Sequence, residues 1–309
     1  MKIFLTGGTG MVGKNILENE SSKLYDIVAP QREELDLLNK KSVFKYIKKN
    51  KPDIIIHAAG IVGGIEANIN NPVKFLKDNI DIGINLISAS LENGVDNFLN
   101  LSSSCMYPKD AENPLKEDLI LKGQLEPTNE GYALAKIVTT RLCEYISREN
   151  LLKNYKTIIP CNLYGKYDNY EPESSHLIPA IIYKIHQAKE NNQTTIKIWG
   201  DGNARREFMY AGELANFIFY AIENIKDMPQ NINVGIGRDY SIKEYYDAVL
   251  NEVRHPLKFE YDLNKPVGMK QKLVNIEKLK NFGWSSKLNL DEGIKMTYKF
   301  FKEGIEDGL

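Results

Sequence analysis

Apolar positions fall in short, nearly continuous runs, separated by longer stretches in which they recur every three or four residues. The runs KIFLT (2–6), YDIVA (25–29), DIIIHAA (53–59), FLNLSS (98–103) and KTIIPCN (156–162) read as strands, and the stretches around 12–20, 40–50, 73–93 and 130–149 read as amphipathic helices. A strand that is apolar on both faces needs cover on both, and the intervening helices supply it, which predicts a parallel sheet. The pattern is that of a doubly wound α/β domain, a Rossmann sheet over residues 1–165.

After Gly165 the rhythm changes. Residues 166–176, KYDNYEPESSH, are polar and turn-rich, and IPAIIYKIHQA then reads as a helix and TIKIWG as a strand. A helix at 211–224 and the strand-like INVG at 232–235 are expected to return to the first sheet, so that about 207–235 is a return segment. Residues 166–206 and 236–309, ending in an amphipathic helix near 291–304, then form a smaller, discontinuous α/β domain. No internal repeat or low-complexity segment interrupts this order.

Composition narrows the function classes. The chain has 309 residues and a formal net charge of -1, so no global basic field recruits nucleic acid or an anionic membrane. Its three cysteines, Cys105, Cys143 and Cys161, form no CxxC pair, against a disulfide framework or a zinc site and in favour of a reducing compartment. MKIFLTGG enters a strand at once, leaving no room for a signal peptide, and no apolar run approaches membrane-spanning length. The expectation is a cytoplasmic protein.

Chemistry enters at TGGTGMVG, which follows the first strand and opens a helix at Met11. Gly7 suits a tight turn, Gly10 close backbone approach to a pyrophosphate, and Gly13 close helix–strand packing, with the helix N-terminus presenting N–H groups to the anion. After the second strand the sequence reads VAPQREELDLL. Arg32 stands beside Pro30 and Gln31, where an NAD reader carries an acid; an arginine pairs with a 2′-phosphate, so NADP(H) is favoured over NAD(H). Asp36 is positioned to accept from the adenine amino group, or to serve as an exposed helix-start acid.

Further on, LSSSCMYP (101–108) and GYALAK (131–136) place Ser103 at a strand end and Tyr132 four residues before Lys136, on one helix face. A phenol titrates near pH 10, and a neighbouring ammonium together with the positive nicotinamide ring is expected to stabilise the phenolate and lower that value. With the glycine turn and this chain order, the sequence resembles the extended short-chain dehydrogenase/reductase family over nearly its whole length, including HAAG (57–60), NLYG (162–165) and GDGNARREF (200–208). The resemblance implies that Ala58 and Ala59 join Gly7, Gly10, Met11, Gly13, Arg32, Asp36, Tyr132 and Lys136 around the cofactor, NADPH or NADP+. Ser103, Tyr132 and Lys136 are then the redox set.

Within that family, dehydratases place an acidic pair after the serine, whereas this chain has Ser104 and Cys105. SSCMYP, LEPTNEGYALAK, CNLYG, SSHLIPA and WGDGNARREF are similar to the branch acting on GDP-linked 4-keto-6-deoxy sugars, the GDP-L-fucose synthases. By that resemblance Cys105 is the base and His176 the acid of a C3/C5 epimerisation, for which a thiol and an imidazole are suited near neutral pH. The ketone at C4 acidifies the hydrogens on its neighbours, and Ser103 and Tyr132 hold the enolate oxygen before C4 is reduced. Asn162, Lys184, Trp199, Arg206 and Lys272 fall at positions that meet the GDP-sugar. Thr9, Lys166, Gly212 and Val267 depart from the branch pattern, so a GDP-4-keto heptose also remains compatible. Three alternatives stay open: a C4 reductase acting on a sugar epimerised elsewhere, a nucleotide-sugar 4-epimerase, and a silent NADPH-sensing module. The resemblance also implies a homodimer through the two long helices, for which Leu76, Ile80, Ile84 and Ile87 form a stripe that serves either a partner or the sheet.

Overall fold

The computed structural model describes residues 1–171, 175–265 and 269–306. The strands, in chain order, are β1 (Lys2–Thr6), β2 (Asp26–Val28), β3 (Ile54–His57), β4 (Asn97–Leu101), β5 (Asn154–Pro160), β6 (Asn162–Tyr164), β7 (Thr195–Trp199), β8 (Arg205–Arg206), β9 (Phe208–Tyr210), β10 (Asn231–Val234), β11 (Tyr240–Ser241), β12 (Lys258–Asp262) and β13 (Gln271–Lys272). The helices are α1 (Met11–Glu18), α2 (Lys40–Asn50), α3 (Ile65–Asn70), α4 (Pro72–Glu92), α5 (Glu130–Glu149), α6 (Leu177–Glu190), α7 (Ala211–Glu223), α8 (Ile242–Val253), α9 (Glu277–Asn281) and α10 (Leu290–Glu306).

Six strands form one parallel sheet in the order β2-β1-β3-β4-β5-β10. The β-branched runs explain it. Ile54, Ile55 and Ile56 are almost fully buried on both faces of β3, between a cluster containing Leu99 and Ile158 and another containing Phe98 and Val43. Each such side chain contributes about 1.5–3 kcal/mol when withdrawn from water. The chain runs outward from β1 to β2 and then returns across β1 to β3. The resulting switch point opens a crevice at the carboxyl ends of β1 and β3.

A further core gathers Ile178, Ile182, Ile198, Tyr245, Val249 and Phe301 from α6, β7, α8 and α10. Two parallel strands, β6 and β9, leave the large sheet in its direction, and Tyr164 and Phe208 insert their rings there. Val274 and Leu279 pack instead with Phe217 and Ile232 against the large sheet. Three two-residue strands, in the order β11-β8-β13, lie between these cores and set Arg206 beside Lys272 in register.

The sequence expectation for the long helices divides. Ile87 is fully buried against the sheet, whereas Ile84 is exposed and Leu76 lies against Gly131 of α5. The two helices cross closely at Gly83, where an added Cβ would stand 2.2 Å from Thr139 Cγ2. No helix among the described residues is long and apolar enough to cross a membrane.

Candidate active site

The crevice continues into a cavity of about 630 Å³ lined by the glycine turn, Arg32, Asp36, Ala58, Ala59, Ser103, Tyr132, Lys136, Asn162 and His176. The three glycines of the turn have separate physical reasons. Gly7 sits at φ +74°, and a Cβ there would lie 2.8 Å from the Ala59 nitrogen. At Gly13 a Cβ would be 2.1 Å from the Gly7 carbonyl oxygen, so α1 approaches the turn only without a side chain. Gly10 differs. Its φ is -80°, and its Cβ would make only an ordinary 3.5 Å contact with Gly7. The fold leaves room for a methyl at Gly10, so the open cradle above the α1 N-terminus fits an approaching anion. Met11 begins that helix, and Arg32 and Asp36 line the crevice beyond β2.

The floor is held by groups that sequence reading passed over. Thr6 Oγ1 accepts from the Ala59 nitrogen at 3.3 Å and lies 3.1 Å from Nδ1 of buried His57. Burial, reinforced by the Lys136 charge, lowers the His57 pKa to about 3, so this imidazole is neutral. Asn79 accepts from the Ile61 nitrogen at 2.8 Å and donates to the Ile61 oxygen at 3.1 Å, fixing the loop after HAAG.

At the redox end, Lys136 is 7% exposed and donates to the Leu101 carbonyl at 2.9 Å. Its ammonium stands 5.6 Å from the centre of the Tyr132 ring. Burial lowers the Lys136 pKa to about 8, opposed by Cys105. Burial, aided by Cys105, raises that of Tyr132, so the lysine by itself does not lower it. Ser103 caps the tight turn Ser104–Met106, its Oγ accepting from the Cys105 nitrogen at 3.3 Å.

Cys105 is 5% exposed and lies behind Ser103 rather than on the cavity wall. Burial holds its thiol above the ordinary range, against the lowering effect of Lys272 first, then the Ser103 hydrogen bond and Lys136. Among the described residues the structure thus brings Ser103, Cys105, Tyr132, Lys136 and Lys272 into one electrostatic neighbourhood. Burial lowers the Lys272 and Arg206 values as well, with Glu126 opposing it at both. Asn162 donates to the Glu207 carbonyl at 3.0 Å. The Glu207 carboxyl, fully buried, takes the nitrogens of Gly237 at 2.7 Å and Val274 at 2.9 Å; burial raises its pKa to about 7, partly offset by those N–H bonds.

Lys184 and Trp199 lie farther out. Lys184 donates to the Lys197 carbonyl at 2.9 Å, 5.9 Å from the Tyr246 ring, and Trp199 is 55% exposed with Lys265 5.1 Å from its ring. His176 caps α6 and faces Asp168, its Nδ1 3.8 Å from Asp168 Oδ1. Asp168 was missed in the sequence because an acid in a polar loop carries no periodicity; its motif position, six residues after Asn162, was the available signal.

Two departures from the branch pattern have local reasons. A side chain at Gly212 would meet the Tyr210 ring at 2.7 Å, so no aspartate fits there. Lys166 pairs with Glu18 at 3.6 Å. Thr9 is exposed on the turn, and Val267 lies outside the described residues.

Known proteins are similar to the chain over nearly its whole length. A GDP-L-colitose synthase from Yersinia pseudotuberculosis is 58% identical over 301 residues, covering 97% of this chain and 98% of its own. A GDP-L-fucose synthase from Azorhizobium caulinodans is 48% identical over 99% of this chain and 97% of its own. The structure of a GDP-mannoheptose C4 reductase from Campylobacter jejuni with NADP bound superposes with a TM-score of 0.88 at 33% identity, covering 97% of this chain and 98% of that one. The model of the NAD dependent epimerase/dehydratase family matches residues 3–237. With the glycine turn, the Tyr132–Lys136 pair and near full-length likeness all in place, the chain belongs to the NAD dependent epimerase/dehydratase family.

Proposed function

We propose that the protein is an NADPH-dependent C4 reductase of a GDP-linked 4-keto-6-deoxy hexose, and that it inverts C5, and C3 where that carbon bears a hydroxyl, before reduction. The observation that carries this reading is the buried thiol of Cys105 set against the Ser103, Tyr132 and Lys136 group, with His176 on the cavity wall. A C4 reductase alone would keep the same two side chains for binding only, and the exchange test below separates the two readings. The likeness to a GDP-L-colitose synthase favours the 3-deoxy substrate, and that to a GDP-L-fucose synthase the 3-hydroxy one.

The α1 N-terminus, Gly10, Arg32 and Lys136 would hold NADPH, which would supply the hydride for C4. The chain's own residues do the rest. Ser103 and Tyr132 hydrogen-bond the C4 oxygen, and negative charge developing there draws a proton from Tyr132. Because burial keeps the phenol protonated, the proton stays available until the oxygen needs it. Cys105, whose thiol burial holds above the ordinary range against the opposing pull of Lys272, the Ser103 hydrogen bond and Lys136, is the group that removes the hydrogen next to the ketone. His176 returns one on the opposite face. Arg206 and Lys272, paired across β8 and β13, meet the diphosphate, while Trp199 and Lys184 face the nucleoside.

We assign residues 1–165 with the return segment to the cofactor and the remainder to the nucleotide sugar. The working form is a homodimer through α4 and α5, whose outer faces expose Val73, Ile84, Leu91, Leu134, Val138 and Tyr145. We place the enzyme in the cytoplasm.

The test is incubation in D2O with GDP-4-keto-6-deoxymannose or its 3-deoxy counterpart, with and without NADPH. Deuterium at C5 before NADPH is added, followed by a reduced, inverted product, supports the reading. The likeness to a C4 reductase favours a second one, reduction alone, which requires NADPH oxidation with protium retained next to the ketone.

A further inference from the structure

The loop following β6 buries a carboxylate that the fold leaves half satisfied. The Asp168 side chain is 4% exposed; Oδ1 accepts from the Asn169 nitrogen at 2.8 Å, while Oδ2 is buried with no hydrogen-bond partner. A buried carboxylate oxygen without a donor is costly, on the order of 1–3 kcal/mol or more for a charged group, and such a group calls for an explanation. The hydroxyl of Tyr170, whose ionisation burial and then the Asp168 charge oppose, is also buried without a hydrogen-bond partner among the described residues. The basic group beside it is His176, with Nδ1 3.8 Å from Oδ1, and both residues line the same cavity.

We infer that Asp168 is the positioning residue for His176: it fixes the imidazole with Nδ1–H toward the loop, leaves Nε2 for the sugar, and stabilises the imidazolium that serves as acid. This rests on the epimerising reading above. In the step it serves, Cys105 sulfur takes the C5 proton and the electron pair passes to the C4 oxygen as an enolate. The Nε2 proton of His176 then bonds to C5 on the other face as the ketone re-forms, leaving a thiol and a neutral imidazole that exchange the proton through solvent. A carboxylate at Nδ1 orients the ring for that transfer and sets its tautomer after it.

The geometry separates two signals. Without an effective acid, Cys105 still removes the C5 hydrogen and returns a solvent one from its own face. Deuterium then enters recovered, uninverted substrate while inversion stalls. The experiment compares wild type, D168N, H176N and the double variant on GDP-4-keto-6-deoxymannose and its 3-deoxy counterpart in D2O. It reads inversion at C5, deuterium in recovered substrate, and, as a redox control, oxidation of GDP-L-fucose or GDP-L-colitose by NADP+. D168N is expected to slow inversion about 100-fold in kcat with KM within about twofold, while exchange without inversion persists and the redox control is retained. Adding D168N to H176N is expected to change nothing further, since both remove one acid.

Inversion unaffected by D168N, inversion and the redox control lost alike, or effects that multiply with those of H176N would each overturn the Asp168 assignment alone. Wild-type reduction with protium retained at C5 would overturn both the assignment and the epimerising reading beneath it.

Discussion

Gly10 and Gly13, three residues apart on one turn, should respond to the same substitution in opposite ways. Alanine at Gly13 would place a Cβ 2.1 Å from the Gly7 oxygen and 2.6 Å from Gly8 Cα, so backbone must shift by about 1 Å to reach contact distance. Overpacking of that order costs roughly 1–3 kcal/mol or more, and G13A should lower the melting temperature by several degrees. Alanine at Gly10 meets only the 3.5 Å contact, and its cost is that of a poorer N-cap, at most about 1 kcal/mol. What the Gly10 methyl does occupy is the space above the N-terminal N–H groups of α1. Displacing a phosphate from one charge-assisted hydrogen bond loses about 1.5–3 kcal/mol, or roughly 10- to 150-fold in affinity. Thermal unfolding without cofactor, paired with fluorescence titration of NADPH, reads both effects. G10A should be nearly as stable as wild type and bind NADPH 10- to 150-fold more weakly by this arithmetic. An unchanged dissociation constant in G10A would refute the placement of the dinucleotide against this turn.

Other outcomes follow from the same geometry. Arg32→Ala should weaken NADPH about 10- to 100-fold while leaving NADH within a few-fold, because only the former carries a 2′-phosphate; initial rates with each cofactor decide it. Lys136, with its pKa lowered to about 8, is charged below that pH and loses its proton as pH rises through it, so NADPH affinity should fall across pH 7–9 in wild type and stay flatter in K136M. His57, with its pKa lowered to about 3, stays neutral in the fold while the unfolded chain takes up a proton below about 6.5; its contribution is complete above 6.5 and is lost as pH falls toward 3. Denaturant titrations should therefore show about 2 kcal/mol more loss between pH 7 and 5 in wild type than in H57Q. Substituting aspartate for Val138 and Leu134, both exposed on α5, should turn a dimer into a monomer by light scattering with the fold retained.

Much of this was legible from the chain. The apolar runs gave β1, β3 and β4 within about two residues because parallel strands buried on both faces leave no polar position inside them. One run was read too simply. KTIIPCN is two strands, β5 ending at Pro160 and β6 starting at Asn162, since Cys161 turns the chain from the large sheet toward β9. The strands that carry Arg206 and Lys272 were invisible, being two residues long and paired across more than sixty positions of sequence. The Ser103, Tyr132 and Lys136 set was visible because helix spacing and a strand end fix it locally. That Cys105 sits behind Ser103, and that Asp168 comes within 3.8 Å of His176, depends on the path of irregular turns, and periodicity carries no information about that.

The buried carboxyl of Glu207 has a mechanical consequence. By taking N–H groups from Gly237, just past β10, and from Val274, just past β13, it links the edge of the large sheet to the small sheet that carries Arg206 and Lys272. Sliding one against the other would strand two amides and a buried acid at once, a resistance on the order of several kcal/mol. That wall of the cleft behaves as an anvil. Among the described residues, the opposite side, where Asp168 Oδ2, the Tyr170 hydroxyl and Ser175 Oγ are buried without a hydrogen-bond partner, has no comparable tie through a buried carboxyl.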